Sequence, residues 1–178
     1  MFQFLFNYKT KKLLKNTKRE KVFLNWSDVH TILLVFDTAD YEEVDAFVEF
    51  LEKKGKKVKA YAYRNKSDKY DYSDTPYVII SQKETNDWTG ESIKELMEEL
   101  KETKFDLAID LTLKRNAFLE YLFVCANALL KVGYKKSNLP LCDFTITSLP
   151  LEDEKTTKPV VELARQIVYY LSKIESID

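Results

Sequence analysis

The chain has 178 residues, of which 45% are hydrophobic and 13% aromatic, with only three glycines and four prolines. This composition is typical of a compact folded protein rather than of a disordered chain. A domain of this length buries roughly 70% of the surface of its unfolded chain, so its core needs no metal or disulfide for support. Cys125 and Cys142 lie in apolar stretches without a CxxC motif, and we expect both to be reduced.

The net charge of −1 is unevenly distributed along the chain. Residues 1–21 carry six lysines and one arginine against Glu20, a net charge of +6, so the rest of the chain carries −7. The lysines follow the apolar start MFQFLFNY, whereas a secretory signal has its positive charges before the apolar stretch. The longest apolar runs are also far shorter than the roughly 20 residues of a spanning helix. We therefore expect a cytoplasmic protein without a transmembrane segment.

The first segment has the periodicity of a basic amphipathic helix, with apolar residues on one face and lysines on the others. Such a helix binds an anionic membrane, RNA or a partner protein. The alternative is that it packs on its own domain, where its lysines would complement the acidic body. The candidate contact residues are Phe2, Leu5, Phe6, Lys9, Lys11, Lys12, Leu13 and Lys15.

Beyond residue 21, apolar runs of strand length alternate with stretches of helical period. Strands are predicted at 31–36, 58–64, 77–81, 105–111, 129–134 and 143–148. Helices are predicted at 40–54 with Gly55 as the stop, at 91–104, after a cap at Thr112 or Asn116, and at 159–177. We expect Trp88, in the turn NDWTG, to close a loop over the core or to form a contact surface.

This alternation predicts a three-layer α/β sandwich of Rossmann-like type, with a mainly parallel sheet of five or six strands. The strand at 105–111 would be central, with helices on both faces. We divide the chain into a basic N-terminal helix or arm, 1–21, and a single Rossmann-like domain, 22–178. In the doubly wound order, the strands at 31–36 and 105–111 are neighbours, and ligands bind in the crevice at their carboxyl ends.

Polar residues follow both of these strands. Asp37 and Asp110 would face each other across the crevice, where a carboxylate pair can hold a cation or act as acid and base. The alternative is that Asp37 caps the turn before the next helix and Asp110 accepts backbone N–H bonds. The candidate crevice residues are Asp37, Asp110, Thr112, Lys114, Arg115 and Asn116. Lys114 and Arg115, with Arg64 and Lys66 opposite, could bind phosphate or carboxylate groups.

Several kinds of cofactor site are excluded by the motifs. The turn after the first strand reads VFDTADYEE, with acidic residues in place of the glycines that a dinucleotide needs. The sequence has no GxxxxGK[ST] motif, and its single histidine, His30, has no paired ligand. We therefore assign no catalytic residue, cofactor or metal, and we expect the protein to bind neither NAD nor ATP.

The basic N-terminal helix, NDWTG, FDLAIDL, KVGY, LPLCDFTI and the long final helix together resemble a family of small uncharacterised proteins of Bacteroidota bacteria. The resemblance implies a Rossmann-like fold in the bacterial cytoplasm and implies no activity. The central segment also looks like the N-terminal half of heptosyltransferase-type GT-B glycosyltransferases. Those enzymes bind the nucleotide sugar with a second Rossmann domain, and only one half would be present here.

Two functions follow from these patterns. The first is a non-catalytic binding or adaptor protein whose N-terminal helix contacts a protein or ribonucleoprotein partner, RNA or the membrane surface, without sequence-specific DNA binding. The alternative is an enzyme or degenerate glycosyltransferase-like domain that binds a small phosphorylated or sugar ligand in the crevice. An open polar crevice would favour the alternative, whereas filling by Tyr41, Phe118 or Trp88 would favour the first.

Overall fold

The computed structural model describes residues 2–86, 91–149 and 158–175, so Trp88 lies outside the described residues. The strands are β1 (Thr31–Asp37), β2 (Lys57–Arg64), β3 (Val78–Ser81), β4 (Lys104–Asp110), β5 (Asn127–Tyr134) and β6 (Phe144–Ile146). The helices are α1 (Phe2–Asn16), α2 (Tyr41–Lys53), α3 (Gln82–Asn86), α4 (Glu91–Glu102), α5 (Ala117–Cys125) and α6 (Pro159–Leu171).

All six strands form one parallel sheet in the order β3-β2-β1-β4-β5-β6. The direction of winding reverses between β1 and β4, which lie side by side at the centre. The predicted α/β fold and the central position of the 105–111 strand are therefore confirmed. Every strand boundary lies within two residues of its prediction, because the hydrophobic runs are bounded by polar or turn-forming residues.

Helices cover both faces of the sheet. In β1, Ile32, Leu34 and Phe36 point into the core beneath α2 and α6, whereas Leu33 and Val35 point into the core that includes α4 and α5. Because both faces of the strand are buried, its sequence is continuously apolar instead of alternating. Gly55 ends α2, as predicted. Its φ of 76° lies in the left-handed region, where any residue with a side chain would be strained.

Two helices differ from their predictions. The last helix was expected to reach residue 177 but ends at Leu171, where the Ser172 hydroxyl donates to the carbonyl of Tyr169 and competes with helical bonding. The helix α3 was not predicted. It begins after a capping box in which the Glu84 carboxylate accepts the Ser81 amide at 2.7 Å, while the Ser81 hydroxyl accepts the Glu84 amide at 3.3 Å.

The helix α1 packs against α5. Phe6 is only 2% exposed, and its ring meets the edge of Phe118 at a centroid distance of 5.2 Å and lies 5.6 Å from Tyr121. Thr10, one turn later, is also buried. An isolated helix of this length is marginal in water, so this packing is what holds α1 in place.

This contact changes the predicted role of the apolar face of α1. The sequence left open whether Phe6 and its neighbours bind a partner or the domain itself, and Phe6 packs on the domain. Leu5 and Leu13 are half-buried, Lys11, Lys12 and Lys15 are exposed, and the side chain of Phe2 lies outside the described part. Lys9 lies over the Tyr121 ring at 5.6 Å.

The segment after α1 covers an open edge of the sheet. Because β6 pairs only with Val132–Tyr134, the first half of β5 has no strand on that side within the described ranges. The Arg19 guanidinium donates to the carbonyls of Ala128 and Leu129, both at 2.7 Å, and the amide of Val22 donates to Leu129 at 3.2 Å. These bonds satisfy edge groups that would otherwise be open to pairing with another chain.

Asp143 neutralises part of the basic segment. Its carboxylate pairs with Arg19 and lies 3.2 Å from the Lys21 ammonium, and it also accepts the backbone amide of Lys131 at 2.9 Å. The charges of Arg19 and Lys21 therefore contribute to the internal packing of the domain. The exposed lysines of α1 are the ones left for an external anion.

No helix within the described ranges is both long enough and apolar enough to cross a membrane.

We predict that Phe6→Ala lowers the free energy of unfolding by about 3 kcal/mol, because it removes an aromatic ring from the contact between α1 and α5. Urea denaturation followed by circular dichroism measures the change. Phe4→Ala is the matched control: Phe4 lies on the same helix but is 79% exposed, so its removal should leave stability nearly unchanged. Equal stability of the two variants would contradict the packing role of Phe6.

Candidate functional site

A crevice of about 540 Å³ opens at the carboxyl ends of β1 and β4. It lies where the winding of the sheet reverses, which is where folds of this kind bind ligands, and its volume is that of a small-molecule site. Its walls come from the turn after β1, the end of β2, α3, the segment between β4 and α5, and α1. Its lining includes Phe6, Asp37, Asp40, Tyr63, Asn65, Lys114 and Phe118. Tyr41 is not among the lining residues, so it does not fill the crevice.

Asp37 lies on the wall of the crevice and also caps the turn that follows β1. Its carboxylate accepts the backbone amide of Ala39 at 3.0 Å and the side-chain amide of Asn65 at 3.2 and 3.3 Å. The capping role proposed from the sequence is therefore confirmed. Because both donors are neutral, the charge of Asp37 stays available to a ligand.

Asp110 belongs to a different environment. It is 1% exposed, and one carboxylate oxygen accepts the amide of Thr112 at 2.9 Å and its hydroxyl at 2.6 Å. The other oxygen pairs with the Lys136 ammonium, whose side chain is 2% exposed. Asp110 does not line the crevice, so the structure does not bring it together with Asp37 as an exposed carboxylate pair.

Gly133 explains the close packing around Asp110. The two residues are opposite each other in the register of β4 and β5. A Cβ atom at Gly133 would lie 3.0 Å from both the Cβ and the carbonyl oxygen of Asp110, and 3.2 Å from the sulfur of Cys142. Only glycine fits at this position of β5 without displacing the backbone, so close packing explains the glycine of the KVGY segment.

Arg115 and Asn116 stabilise the start of α5. The Arg115 guanidinium makes a two-point contact with the buried carboxylate of Glu120, at 3.0 and 2.9 Å, and donates to the Asn7 side chain of α1 at 3.0 Å. The bond to Glu120 raises the pKa of Arg115 above its ordinary value. The Asn116 side chain accepts the amides of Phe118 and Leu119, both at 3.1 Å, which confirms it as the helix cap.

The remaining predicted cations are divided between the crevice and other contacts. Lys114 is exposed and lines the crevice. Arg64 donates to the carbonyl of Asp68 at 3.1 Å and lies over the Tyr72 ring, while Lys66 is exposed, and neither lines the crevice. Of the four cations predicted to lie at the crevice, two line it: Lys114, and Arg115, which is already paired with Glu120.

Asp40 is a crevice residue that the candidate list omitted. It is half-buried at the start of α2 and makes no capping bond with its side chain. Burial raises its pKa and the neighbouring charges of Asp37 and Glu43 raise it further, while the charges of Lys158 and Lys114 oppose this shift. The acidic stretch DTADYEE after β1 is the sequence signal that points to Asp40.

The crevice is poorly suited to phosphate. The amino ends of α2 and α5 both border it, and such ends usually favour anions. Asn116 already occupies two amides of α5, and Asp37 and Asp40 place carboxylates before α2. Phosphate would have to approach these carboxylates, which costs Coulomb energy.

Groups that could support catalysis lie elsewhere or are inert. His30 is at the amino end of β1, opposite the crevice, and no cluster of three potential ligands among the described residues could hold a metal. Cys125 and Cys142 are free thiols, and burial raises the pKa of Cys142 to about 12. Burial lowers the pKa of Lys131 to about 7, but its ammonium donates to the carbonyls of Phe123 and Val124 at the end of α5.

A second concavity of about 650 Å³ lies between α1 and the loop that follows β5. We call it the α1 groove, and its lining includes Phe4, Asn7, Tyr8, Lys11, Arg115, Ser137 and Asn138. Phe4 and Tyr8 are 79% and 60% exposed, one turn apart on the face of α1 opposite to its buried side. The candidate list omitted both, because the amphipathic pattern assigned the contact to the face that contains Phe6.

We predict that Asp110→Asn lowers the free energy of unfolding by about 3–5 kcal/mol, because Lys136 then keeps a buried charge without its partner. The double variant Asp110→Asn/Lys136→Met should regain most of this loss, since it removes both charges. Chemical denaturation measures both effects, with the exposed Glu98→Gln on α4 as the matched control. A single variant as stable as the control would refute the structural role of the pair.

Comparison with known proteins gives a family and no established activity. Neither the curated proteins nor the solved structures contained a match. The profile of a family of unknown function, DUF6913, matches residues 3–174. Because this match spans nearly the whole chain, the protein belongs to the family of unknown function DUF6913.

Proposed function

We propose that the protein is a non-catalytic binding protein that holds a single-stranded segment of RNA in the α1 groove. The observation that carries the proposal is the exposure of Phe4 and Tyr8, one turn apart, beside the cations Lys11 and Arg115. Exposed aromatic rings along a cationic groove are the common recognition device for single strands, because bases stack on the rings while cations follow the phosphates.

The helical spacing supports a continuous contact. Phe4, Tyr8, Lys11 and Lys15 follow the i, i+4, i+7, i+11 pattern, so they form one stripe along α1. Two rings lie at the amino end and two ammonium groups lie toward the carboxyl end. The bases of an RNA segment bound along this stripe would stack on Phe4 and Tyr8, and its phosphates would lie near Lys11 and Lys15.

Both walls of the groove add polar groups. Ser137 and Asn138 come from the loop after β5, and Asn7 comes from α1. Amide and hydroxyl side chains of this kind donate to and accept from exposed base edges. This concave shape favours an inserted strand over a flat lipid surface, which would contact only the outer ridge of α1.

The docking of α1 provides the preorganisation that binding needs. Phe6 fixes the helix on α5, and Arg115 ties the start of α5 to Asn7. The exposed stripe is therefore ordered before the partner arrives, which reduces the entropy cost of association.

The crevice is open and has many polar lining residues, which is the observation that favours the enzymatic alternative, but its chemistry argues against catalysis. Its acidic turn disfavours a phosphorylated ligand. The hydroxyl of Thr112, which lines the crevice, donates to the carboxylate of Asp110, but Thr112 is only 3% exposed and this carboxylate is already paired with Lys136. The glycosyltransferase-like similarity of the central segment stays a prediction, and its shared features, the aspartate and the VG of the next strand, have packing roles here. The proposal therefore places the binding function on α1.

We expect the full-length protein to bind a labelled single-stranded RNA of about 12 nucleotides in fluorescence anisotropy, with affinity that falls as salt rises. The variant Phe4→Ala/Tyr8→Ala should weaken binding at least about tenfold, because stacking contributes about 1–3 kcal/mol per base. Lys11→Ala should also weaken binding and reduce the salt dependence.

The matched control is Phe50→Ala/Lys94→Ala, which removes an exposed ring and an exposed cation from α2 and α4. This variant should bind like the original protein. Failure to bind RNA at low salt would refute the proposal, as would equal affinity for a duplex. Binding to anionic vesicles that is lost in the Phe4→Ala/Tyr8→Ala variant, without RNA binding, would assign the same surface to a membrane instead.

A further inference from the structure

A groove of about 700 Å³ lies between α2 and α6, on the face of the sheet opposite to α1 and α5. Its floor consists of the buried apolar residues Val44, Leu111, Val160 and Ala164. Two exposed aromatic rings also line it: Phe50 of α2, which is 40% exposed, and Tyr169 of α6, which is 56% exposed. An apolar groove with exposed rings beside it is characteristic of a protein interface.

Each of the two helices places a row of residues, four apart in sequence, beside this groove. Such a row forms a ridge on the surface of a helix. The ridge of α2 consists of Glu42, Ala46, Phe50 and Lys54, and that of α6 consists of Val161, Arg165, Tyr169 and Lys173, which follows the helix end. In both ridges a lysine follows the ring, and its ammonium lies over that ring, 5.9 Å from the centroid of Phe50 and 5.6 Å from the centroid of Tyr169.

The ridge of α2 is complementary to itself when a second copy of the helix lies against it in the opposite direction. Position 42 then faces position 54 of the second copy, and position 46 faces position 50. Glu42 meets a lysine, and the small side chain of Ala46 meets the ring of Phe50. Each match occurs twice, which is what a two-fold interface between identical chains requires.

The ridge of α6 is compatible with the same arrangement. When it meets its own copy in the opposite direction, Arg165 faces Tyr169 of the second copy. A guanidinium group over a tyrosine ring is a favourable contact, and Arg165 is exposed and can make it while it is bonded to Glu162 of its own chain. Both helices therefore favour the same antiparallel pairing.

The charges at the two ends of the α2 ridge are open to an external partner. Glu42 and Lys54 are exposed, and neither forms an ion pair with another part of the chain that the structure describes. Lys158 also attracts Glu42, but its ammonium is bound to Glu43. The acidic end of the ridge disfavours an anionic membrane, which the rings and lysines alone would suit. A second copy offers both charges in the required places.

We propose that α2 and α6 form a two-fold interface between two copies of this chain, with Phe50 of each copy in the groove of the other and Glu42 paired with Lys54 of the other. Two 13-residue helices side by side give a face about 20 Å long and about 20 Å wide. This area is near the lower end of specific interfaces, so we expect a dimer that dissociates on dilution. The α1 groove lies on the opposite face, and RNA binding there is independent of dimerisation.

The experiment is sedimentation velocity of the full-length protein at concentrations from about 1 to about 100 µM, over which mass action should shift it from one chain to two. The variant Phe50→Ala/Tyr169→Ala should weaken dimerisation at least about 100-fold, because aromatic rings at the centre of an interface contribute most of the binding energy. Both rings are exposed in the single chain, so circular dichroism and thermal unfolding should show an unchanged fold.

A charge exchange tests the antiparallel arrangement. Glu42→Lys should weaken dimerisation at least about tenfold, because two lysine pairs then face each other across the interface, and Lys54→Glu should do the same with two acidic pairs. The double variant Glu42→Lys/Lys54→Glu should restore it, since the pairs are reversed. The matched control is Phe4→Ala/Tyr8→Ala, which removes two exposed rings from α1 and should dimerise like the original protein.

A single chain at every concentration up to about 100 µM would overturn the proposal. Unchanged dimerisation of Phe50→Ala/Tyr169→Ala would overturn it as well, and so would a charge-exchange variant that is as weak as the two single variants. Phe50→Ala/Tyr169→Ala should bind the short RNA like the original protein. Loss of the dimer and loss of RNA binding are therefore distinguishable, because their variants lie on opposite faces of the sheet.

Discussion

The parallel pairing of β1 with β4 is the constraint on which the rest of the structure depends. It reverses the winding of the sheet at this point, so the chain leaves the two strands toward opposite faces and a crevice remains between their carboxyl ends. The same pairing buries both faces of β1, which requires helices on each side. The position of the crevice, the layers of helices and the support for α1 on α5 all follow from it.

Around this centre, charged groups have two distinct roles. Two ion pairs have a buried carboxylate. The pair of Asp110 and Lys136 fixes the end of β4, and the pair of Glu120 and Arg115 fixes the start of α5. Removing one member of such a pair costs more than the pair contributes, so these residues are structural. Asp37 and Asp40 differ because they line an open cavity and form no ion pair within the described residues. Burial and pairing therefore distinguish the structural charges from the charges on the wall of the crevice.

The helix α1 connects the two cavities. Its buried side contributes Phe6 to the crevice, and its exposed side contributes Phe4 and Tyr8 to the α1 groove. Arg115 lines both cavities while bonding to Asn7 of α1. The basic segment is thus part of the fold as well as a candidate contact surface, because a short helix becomes ordered only through the packing of one face.

The amino-acid sequence by itself determined the order of the six strands and of every helix except the short α3, since the hydrophobic period and stop signals such as Gly55 are local properties. It also indicated the acidic turn after β1 and the unusual charge of the first segment. Only the tertiary structure decided that Asp110 turns to Lys136 instead of facing Asp37, and that Phe6 packs inward while Phe4 and Tyr8 are exposed. These outcomes depend on contacts between residues far apart in the chain, Asp110 with Lys136 and Phe6 with Phe118, and no local pattern specifies which of several possible partners a side chain meets.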